Sequence, residues 1–260
     1  MTEQRVESKP ELELILLITS PDPESVITRV ANKGSIGDYK LTAEPARILH
    51  DIYLDTPDHH LGSKRINLRV RGSGRSFWIT MKVSPGLLTM RRHERLEIEI
   101  PWSSESLSQI VGIVAGKGVR LIAPSSLDPT MSQVDVMKRM GLQVLQDRKT
   151  ERVPRNVLEN DGQGEVLAEL DIDSVLYHFP AREVRLFELE LEAKSPKGRK
   201  ILRDLNNKLL RDFAPELRPW RYGKLVTGEK IERLLRKGDL DNFIDGSRLK
   251  PEGYERVERA

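Results

Sequence analysis

The sequence predicts an α+β fold: an antiparallel sheet curled into a barrel, with helices packed outside it. Three observations point there. First, short runs alternate charged and aliphatic residues: Glu11-Leu12-Glu13-Leu14, Leu68-Arg69-Val70-Arg71, Glu97-Ile98-Glu99-Ile100, Glu169-Leu170-Asp171-Ile172-Asp173 and Glu188-Leu189-Glu190-Leu191-Glu192. Successive strand side chains point to opposite faces, so each run has one apolar face and one charged face. Second, the elements run strands, helices, strands, helices, which suits two similar β-rich halves contributing to one antiparallel structure. Third, charged residues make up 32% of the 260 and aromatics only 5%. The core must therefore be aliphatic, and the apolar faces of these strands supply it.

Residues 12–18 read as the first strand, ended by Ser20-Pro21-Asp22-Pro23. Residues 24–32 follow as a short helix with Pro23 near its start, where a missing N–H costs nothing. Residues 46–54, 66–71 and 77–83 read as strands, the last two joined at a hairpin signal, Gly72-Ser73-Gly74. Residues 93–101 form another strand, and 104–115 and 131–140 form helices. A second strand group covers 144–153, 165–176 and 182–193, and amphipathic helices cover 196–211 and 228–237. The barrel domain is expected over residues 1–238, in halves of about 1–120 and 121–238, because no linker rich in Pro, Gly or Ser divides it. Residues 239–260 are charged, sparse in apolar side chains, and read as a peripheral tail.

Bulk properties exclude several classes. The net charge of +3 is too small to signal nucleic-acid binding. The absence of cysteine rules out disulfides, thiolate chemistry and Cys-containing zinc sites, and is compatible with a reducing cytoplasm. The apolar run 14–18 is too short to span a membrane and lacks the layout of a signal peptide, so a soluble cytoplasmic protein without a membrane partner is expected. His50, His59, His60, His93 and His178 lack the spacing of a metal cluster. No nucleophile elbow, Walker loop or dinucleotide fingerprint is present.

The charged faces carry the functional signal. The plain reading is a wet sheet face laced with cross-strand ion pairs. Glu at i,i+2 and Arg at i,i+2 ask for more, because like charges that close repel. Carboxylates gathered in a barrel can hold a divalent cation, and guanidinium groups can hold a polyanion; a metal-bound polyphosphate satisfies both. Arg69 and Arg71 share a face, and on the next strand Trp78, Thr80 and Lys82 share one. Arginine forks and a lysine point charge suit a triphosphate. Arg95, Glu97 and Glu99 mix both charge types on one strand, and their oxygens suit Mg²⁺ or Mn²⁺ rather than zinc.

In this order the motifs resemble those of the CYTH superfamily, the triphosphate tunnel metalloenzymes. Glu11-Leu12-Glu13 resembles the opening Glu-x-Glu-x-Lys strand, Tyr53-Leu54-Asp55-Thr56-Pro57 the Tyr-x-Asp-Thr segment, and Leu68 to Arg71 with Ile79 to Lys82 the basic hairpin. Arg95 to Glu99 resembles the Arg-x-Glu-x-Glu strand, Arg148 the arginine of the second half, Glu169 to Asp171 and Glu188 to Glu190 the later acidic strands, and Gly223-Lys224-Leu225 the closing Ser-Lys-Tyr turn. The resemblance runs from about residue 11 to 230. It implies an eight-stranded antiparallel barrel forming a tunnel, and a triphosphatase that uses Mg²⁺ or Mn²⁺.

On that resemblance Arg69, Arg71, Lys82, Arg95, Arg148 and Lys224 are the expected phosphate ligands. Glu11, Glu13 and Lys82 are the expected catalytic residues, and Asp171, Glu188, Glu190, Glu97 and Glu99 the expected metal set. The partner is a small triphosphate-containing molecule, inorganic triphosphate first; a homodimer is allowed, and nucleic acid is disfavoured by the few aromatics. Two positions depart from the pattern: Ile15 stands where the opening lysine belongs, and Gly223 where the closing serine does. The alternatives are a class IV-type adenylate cyclase on the same barrel and, because of Ile15, a non-catalytic polyphosphate or nucleotide-binding protein.

Overall fold

The computed structural model describes residues 9–83, 94–159 and 164–260, with side chains from Leu12 and, in the strand that begins at Glu94, from Glu97. Its elements are β1 (Lys9–Ile18), α1 (Pro23–Ala31), β2 (Ser35–Ile36), β3 (Tyr39–Ala43), β4 (Arg47–Asp55), α2 (His60–Ser63), β5 (Ile66–Ser73), β6 (Ser76–Val83), β7 (Glu94–Pro101), α3 (Ser104–Ala115) and α4 (Gln133–Arg139). There follow β8 (Gln143–Glu159), β9 (Ala168–His178), β10 (Glu183–Ala193), α5 (Pro196–Asp212), β11 (Leu217–Trp220), α6 (Lys224–Arg236), a 3₁₀ turn over Asp241–Phe243, β12 (Ile244–Asp245), β13 (Arg248–Leu249) and α7 (Pro251–Arg259). The class is α+β with a large antiparallel sheet, as the alternation predicts. Among the described residues eight strands reach eight residues or more, β1 and β4 to β10, the number the resemblance implies. No helix among the described residues is long and apolar enough to cross a membrane.

The chain groups into two compact units, unit 1 of residues 1–11 and 49–147 and unit 2 of residues 12–48 and 148–260. In unit 1 the strand order is β7-β6-β5-β4. Leu68, Val70, Ile79, Met81 and Ile98 lie on one face and pack against Leu107, Ile110 and Val114 of α3 and Val136 and Met137 of α4. Ser103 starts α3 by accepting the Ser106 N–H at 3.1 Å, which satisfies one of the amides left over at a helix N-terminus. The β5–β6 hairpin turns at Gly74-Arg75, since Ser73 pairs with Ser76. Gly74 has φ +59°, the left-handed backbone that a glycine adopts freely. Gly72, expected in the turn, is still in the ladder opposite Phe77.

In unit 2, β10 pairs antiparallel with both β1 and β9, β9 neighbours β8, and β11 extends the sheet beyond β1. Leu16, Ile18, Leu170, Ile172, Phe187, Leu189 and Leu191 pack with Val26 and Val30 of α1 and Leu202, Leu205 and Leu209 of α5. The other face divides along its length. One part carries the acids of β9 and β10. The rest is apolar, with Ile15, Leu17, Val175, Tyr177, Val184 and Leu186 covered by Ile231 and Leu234 of α6 and by Leu240, Ile244, Leu249, Tyr254 and Val257. Residues 239–260, expected as a peripheral tail, are thus packed in: β13 adds to β10, and Tyr254 and Val257 are buried. Their few apolar residues all turn toward one cluster, which composition alone does not reveal.

Candidate functional site

The charged face of unit 1 follows from strand register. Arg69 lies between Tyr53 and Thr80, Arg71 between Asp51 and Trp78, and Thr80 and Lys82 lie opposite Glu99 and Glu97. Period-two alternation then points all of these to one side, as predicted for Arg69, Arg71 and Lys82. Arg71 grips Asp51 with two parallel bonds, Nε to Oδ1 at 2.8 Å and Nη2 to Oδ2 at 3.1 Å. Arg69 donates from Nη1 to the Tyr53 hydroxyl at 3.1 Å and from Nη2 to Glu97 at 3.3 Å, with Asp51 3.6 Å from its Nε. Thr80 donates to Glu99 at 2.9 Å, and Lys82 Nζ is 3.4 Å from Glu97. Burial opposes the charge on Arg69, but Asp51 and the neighbouring acids outweigh it and hold its pKa above the ordinary arginine value. Among the described residues Arg69, Arg71 and Lys82 here face three carboxylates, Asp51, Glu97 and Glu99.

Unit 2 builds the acidic counterpart. Across β9 and β10, Glu188 lies opposite Asp173, Glu190 opposite Asp171 and Glu192 opposite Glu169. Such acids repel unless something offsets them. Arg152 of β8 does so: it binds Asp173 through Nε at 2.8 Å and Nη2 at 2.6 Å, binds Glu190 through Nη2 at 2.8 Å, and pairs with Asp171 through Nη1. Lys224 comes from the first residue of α6, an end of the helix where a cation is disfavoured. Its ammonium offsets that against Glu188, against Glu190 at 2.8 Å and against Asp173 at 3.1 Å. The first turn of α6 is held by the Tyr177 hydroxyl, which donates to the Lys224 carbonyl at 2.8 Å, and by the Trp220 ring N–H, which donates to Thr227 at 2.9 Å.

Electrostatics separate these acids from ordinary surface carboxylates. Burial pushes Asp171 up to about 7, against the pull of Arg152, with Asp173, Glu169 and Glu190 adding repulsion. Burial likewise pushes Glu188 up to about 7, against the pull of Lys224. Arg152 and Lys224 are held well above their ordinary values, since the carboxylates outweigh the burial that opposes their charge. One oxygen each of Asp173, Glu188 and Glu190 lies within 4.8 Å of the others. Asp171 Oδ1 is buried and accepts no hydrogen bond among the described residues. An all-oxygen set with unsatisfied buried acceptors fits Mg²⁺ or Mn²⁺.

The expected residues therefore fall as follows. Arg69, Arg71, Lys82, Glu97 and Glu99 come together in unit 1. Asp171, Glu188, Glu190 and Lys224 come together in unit 2, where Arg148 is buried on the same side of β8 as Arg152. Glu13 lies opposite Glu192, two residues along β10 from Glu190. The side chains of Glu11 and Arg95 lie outside the described residues, as does His93. Sequence reasoning passed over Asp51, Arg152 and Asp173, though each had a signal: Asp173 is the third acid of its alternating run, Arg152 has the parity of Arg148, and Asp51 that of Tyr53. Asp55 of the Tyr-x-Asp-Thr segment has a structural job: its carboxylate accepts the N–H groups of Thr56, Leu61 and Gly62 at 2.7–2.9 Å and so holds the turn into α2.

Comparison with known proteins bears on this geometry. A family model described as the CYTH domain matches residues 27–214. No curated protein matches the chain. Among solved structures, a Hippeastrum protein named as an adenylyl cyclase, and credited with a dominant triphosphatase activity, is 16% identical, covers 88% of this chain and 97% of its own, and has a TM-score of 0.52. A Bacillus halodurans protein named as an adenylate cyclase is 16% identical, with coverage of 83% and 95% and a TM-score of 0.48, too low to argue from. The Hippeastrum likeness extends to the fold, the family match spans well over half of the residues, and the chain belongs to the CYTH family.

Proposed function

We propose that this chain is a metal-dependent triphosphatase with inorganic triphosphate as its leading substrate. The observation that carries the reading is the triad of Asp173, Glu188 and Glu190, three buried or half-buried carboxylates gathered within 4.8 Å on a sheet face that also carries Arg148 and Arg152 and is met by Lys224 from α6. Asp173, Glu188 and Glu190 would hold Mg²⁺ or Mn²⁺, with Asp171 beside them. A divalent ion on such oxygens polarises a phosphoryl oxygen and makes bound water a stronger nucleophile. Within unit 2, Arg148 and Lys224 would bind phosphate oxygens, and within unit 1 Arg69, Arg71, Lys82 and Arg95 have the same capacity, the arginines by two-pronged bonds and the lysines as point charges. Glu11 and Glu13 are the groups proposed to accept the proton of the attacking water.

Arg69, Arg71, Lys82 and Lys224 are each engaged by carboxylates, so substrate binding is an exchange of partners: phosphate oxygens take the place of Asp51, Glu97 or Glu190. Cations already aimed and desolvated need little reorganisation when charge builds on the transferring phosphoryl group. Hydrolysis leads over cyclisation because the Hippeastrum relative is credited chiefly with triphosphatase activity. Phosphate release should be measured with inorganic triphosphate, ATP and thiamine triphosphate, each with Mg²⁺ and Mn²⁺ and with chelator. The expected result is metal-dependent release, fastest from inorganic triphosphate. Cyclic AMP from ATP, or tight binding without release, would overturn it.

A further inference from the structure

Position 15 supplies no cation. Ile15 faces the same side of β1 as Glu13, its register partners are Glu190 and Trp220, and it is buried among Leu17, Val175 and Trp220. Glu190 is nevertheless met by a guanidinium, because Arg152 reaches it from β8 at 2.8 Å. We propose that Arg152 is a further triphosphate-positioning residue, which brings from β8 the phosphate-facing cation that position 15 of β1 lacks. The inference rests on the triphosphatase reading. Arg152 spans Asp171, Asp173 and Glu190 with its side chain only 12% exposed, so its fork is held in one orientation beside the carboxylate triad. Arg152 and Lys224 are paired there with Asp171, Asp173, Glu188 and Glu190. A divalent ion on the triad would lessen the hold of Asp173 and Glu190 on the guanidinium, leaving its planar donors for a phosphate oxygen next to the ion.

The test uses the full chain and inorganic triphosphate with Mg²⁺, with affinity read by calorimetry and folding by circular dichroism and thermal melting. Arg152→Gln is expected to weaken triphosphate binding about 10- to 100-fold, the scale of one lost charge-assisted contact. Adding Ile15→Lys should restore most of that loss, because a lysine at 15 starts opposite Glu190 and so brings a cation to the same acids from the other side. A double variant that folds and melts like the natural protein yet binds as weakly as Arg152→Gln would overturn the proposal, as would an Arg152→Gln protein of natural affinity. If the natural protein itself binds no triphosphate, the triphosphatase reading falls, and this inference with it. Should Arg152→Gln not fold, the ¹⁵N resonance of the Arg152 Nε, identified by its loss in Arg152→Lys, carries the test. A shift on adding triphosphate with Mg²⁺ beyond that caused by Mg²⁺ alone supports the contact, and no such shift overturns it.

Discussion

Glu190 stands where two cations meet: Arg152 Nη2 and Lys224 Nζ each lie 2.8 Å from its Oε2. Glu190→Gln removes the charge and keeps the shape, so phosphate release that depends on Mg²⁺ should fall about 100-fold or more, by analogy with losing one electrostatic partner of a transition state. Circular dichroism should stay as it was, and full retention of metal-dependent turnover would reject the assignment. Glu188 gives a pH prediction. Burial raises its folded carboxyl to about 7 from a reference of 4.5, so between those values the folded chain binds more protons than the unfolded chain. The sign is then fixed: this contribution to stability is fully present below about 4.5 and is lost as pH rises through about 7. With chelator present, Glu188→Gln should therefore change the melting temperature more favourably at pH 8 than at pH 5. An equal change at both would show that the group does not titrate in that window.

Two helix starts show how elements are seated. Ser195 accepts the Gly198 N–H at 3.1 Å and caps α5, while Gly198 sits so close to the strand entry that an added Cβ would fall 1.6 Å from the Leu167 carbonyl oxygen. No flexible side chain is there to give way. Gly198→Ala must push α5 off Leu170 and Leu191, at a cost of about 3 kcal/mol or more, the upper range of overpacking; urea unfolding checks it, and a loss below 1 kcal/mol would contradict the contact. At α6 the capping position is Gly223, which makes no side-chain capping bond and has extended φ and ψ of −70° and 164°. That backbone accepts a serine, whose hydroxyl can take a free amide of the first turn. Gly223→Ser should stabilise by a few tenths of a kcal/mol, measured as a small rise in denaturation midpoint.

At the scale of the molecule, the acidic runs do not make an acidic protein; the net charge is +3, and among the described residues the buried Asp51, Asp171, Asp173 and Glu188 are matched by arginines and lysines from other elements. Each unit has its own apolar core beneath a charged face. In unit 2 the C-terminal residues complete that core, with Leu249, Tyr254 and Val257 each at most 2% exposed. Deleting residues 240–260 should uncover Val184, Leu186 and Ile231 and lower the melting temperature by many degrees, with dye binding to the newly exposed surface. Tyr254→Ala alone should cost about 3 kcal/mol, the scale of emptying a buried aromatic site. Unchanged melting after the deletion would mean that the segment only rests on the surface.

Alternation is a local property with a period of two, so the sequence by itself determined which residues share a face: Arg69 with Arg71, Glu188 with Glu190, and the aliphatics that line the cores. It also determined the long helices and, through the order of weak motifs, the family. What meets what was decided by tertiary structure. Arg152 reaches acids 19 and more residues away along the chain, and Lys224 reaches Glu188 from the start of a helix. Those meetings depend on register and on how α6 docks, and a shift of one residue would turn every charge to the other face. The same distinction explains the 239–260 segment, whose composition reads as a tail. Burial of a few apolar side chains depends on a surface waiting for them, and only the folded β9–β10 face provides one.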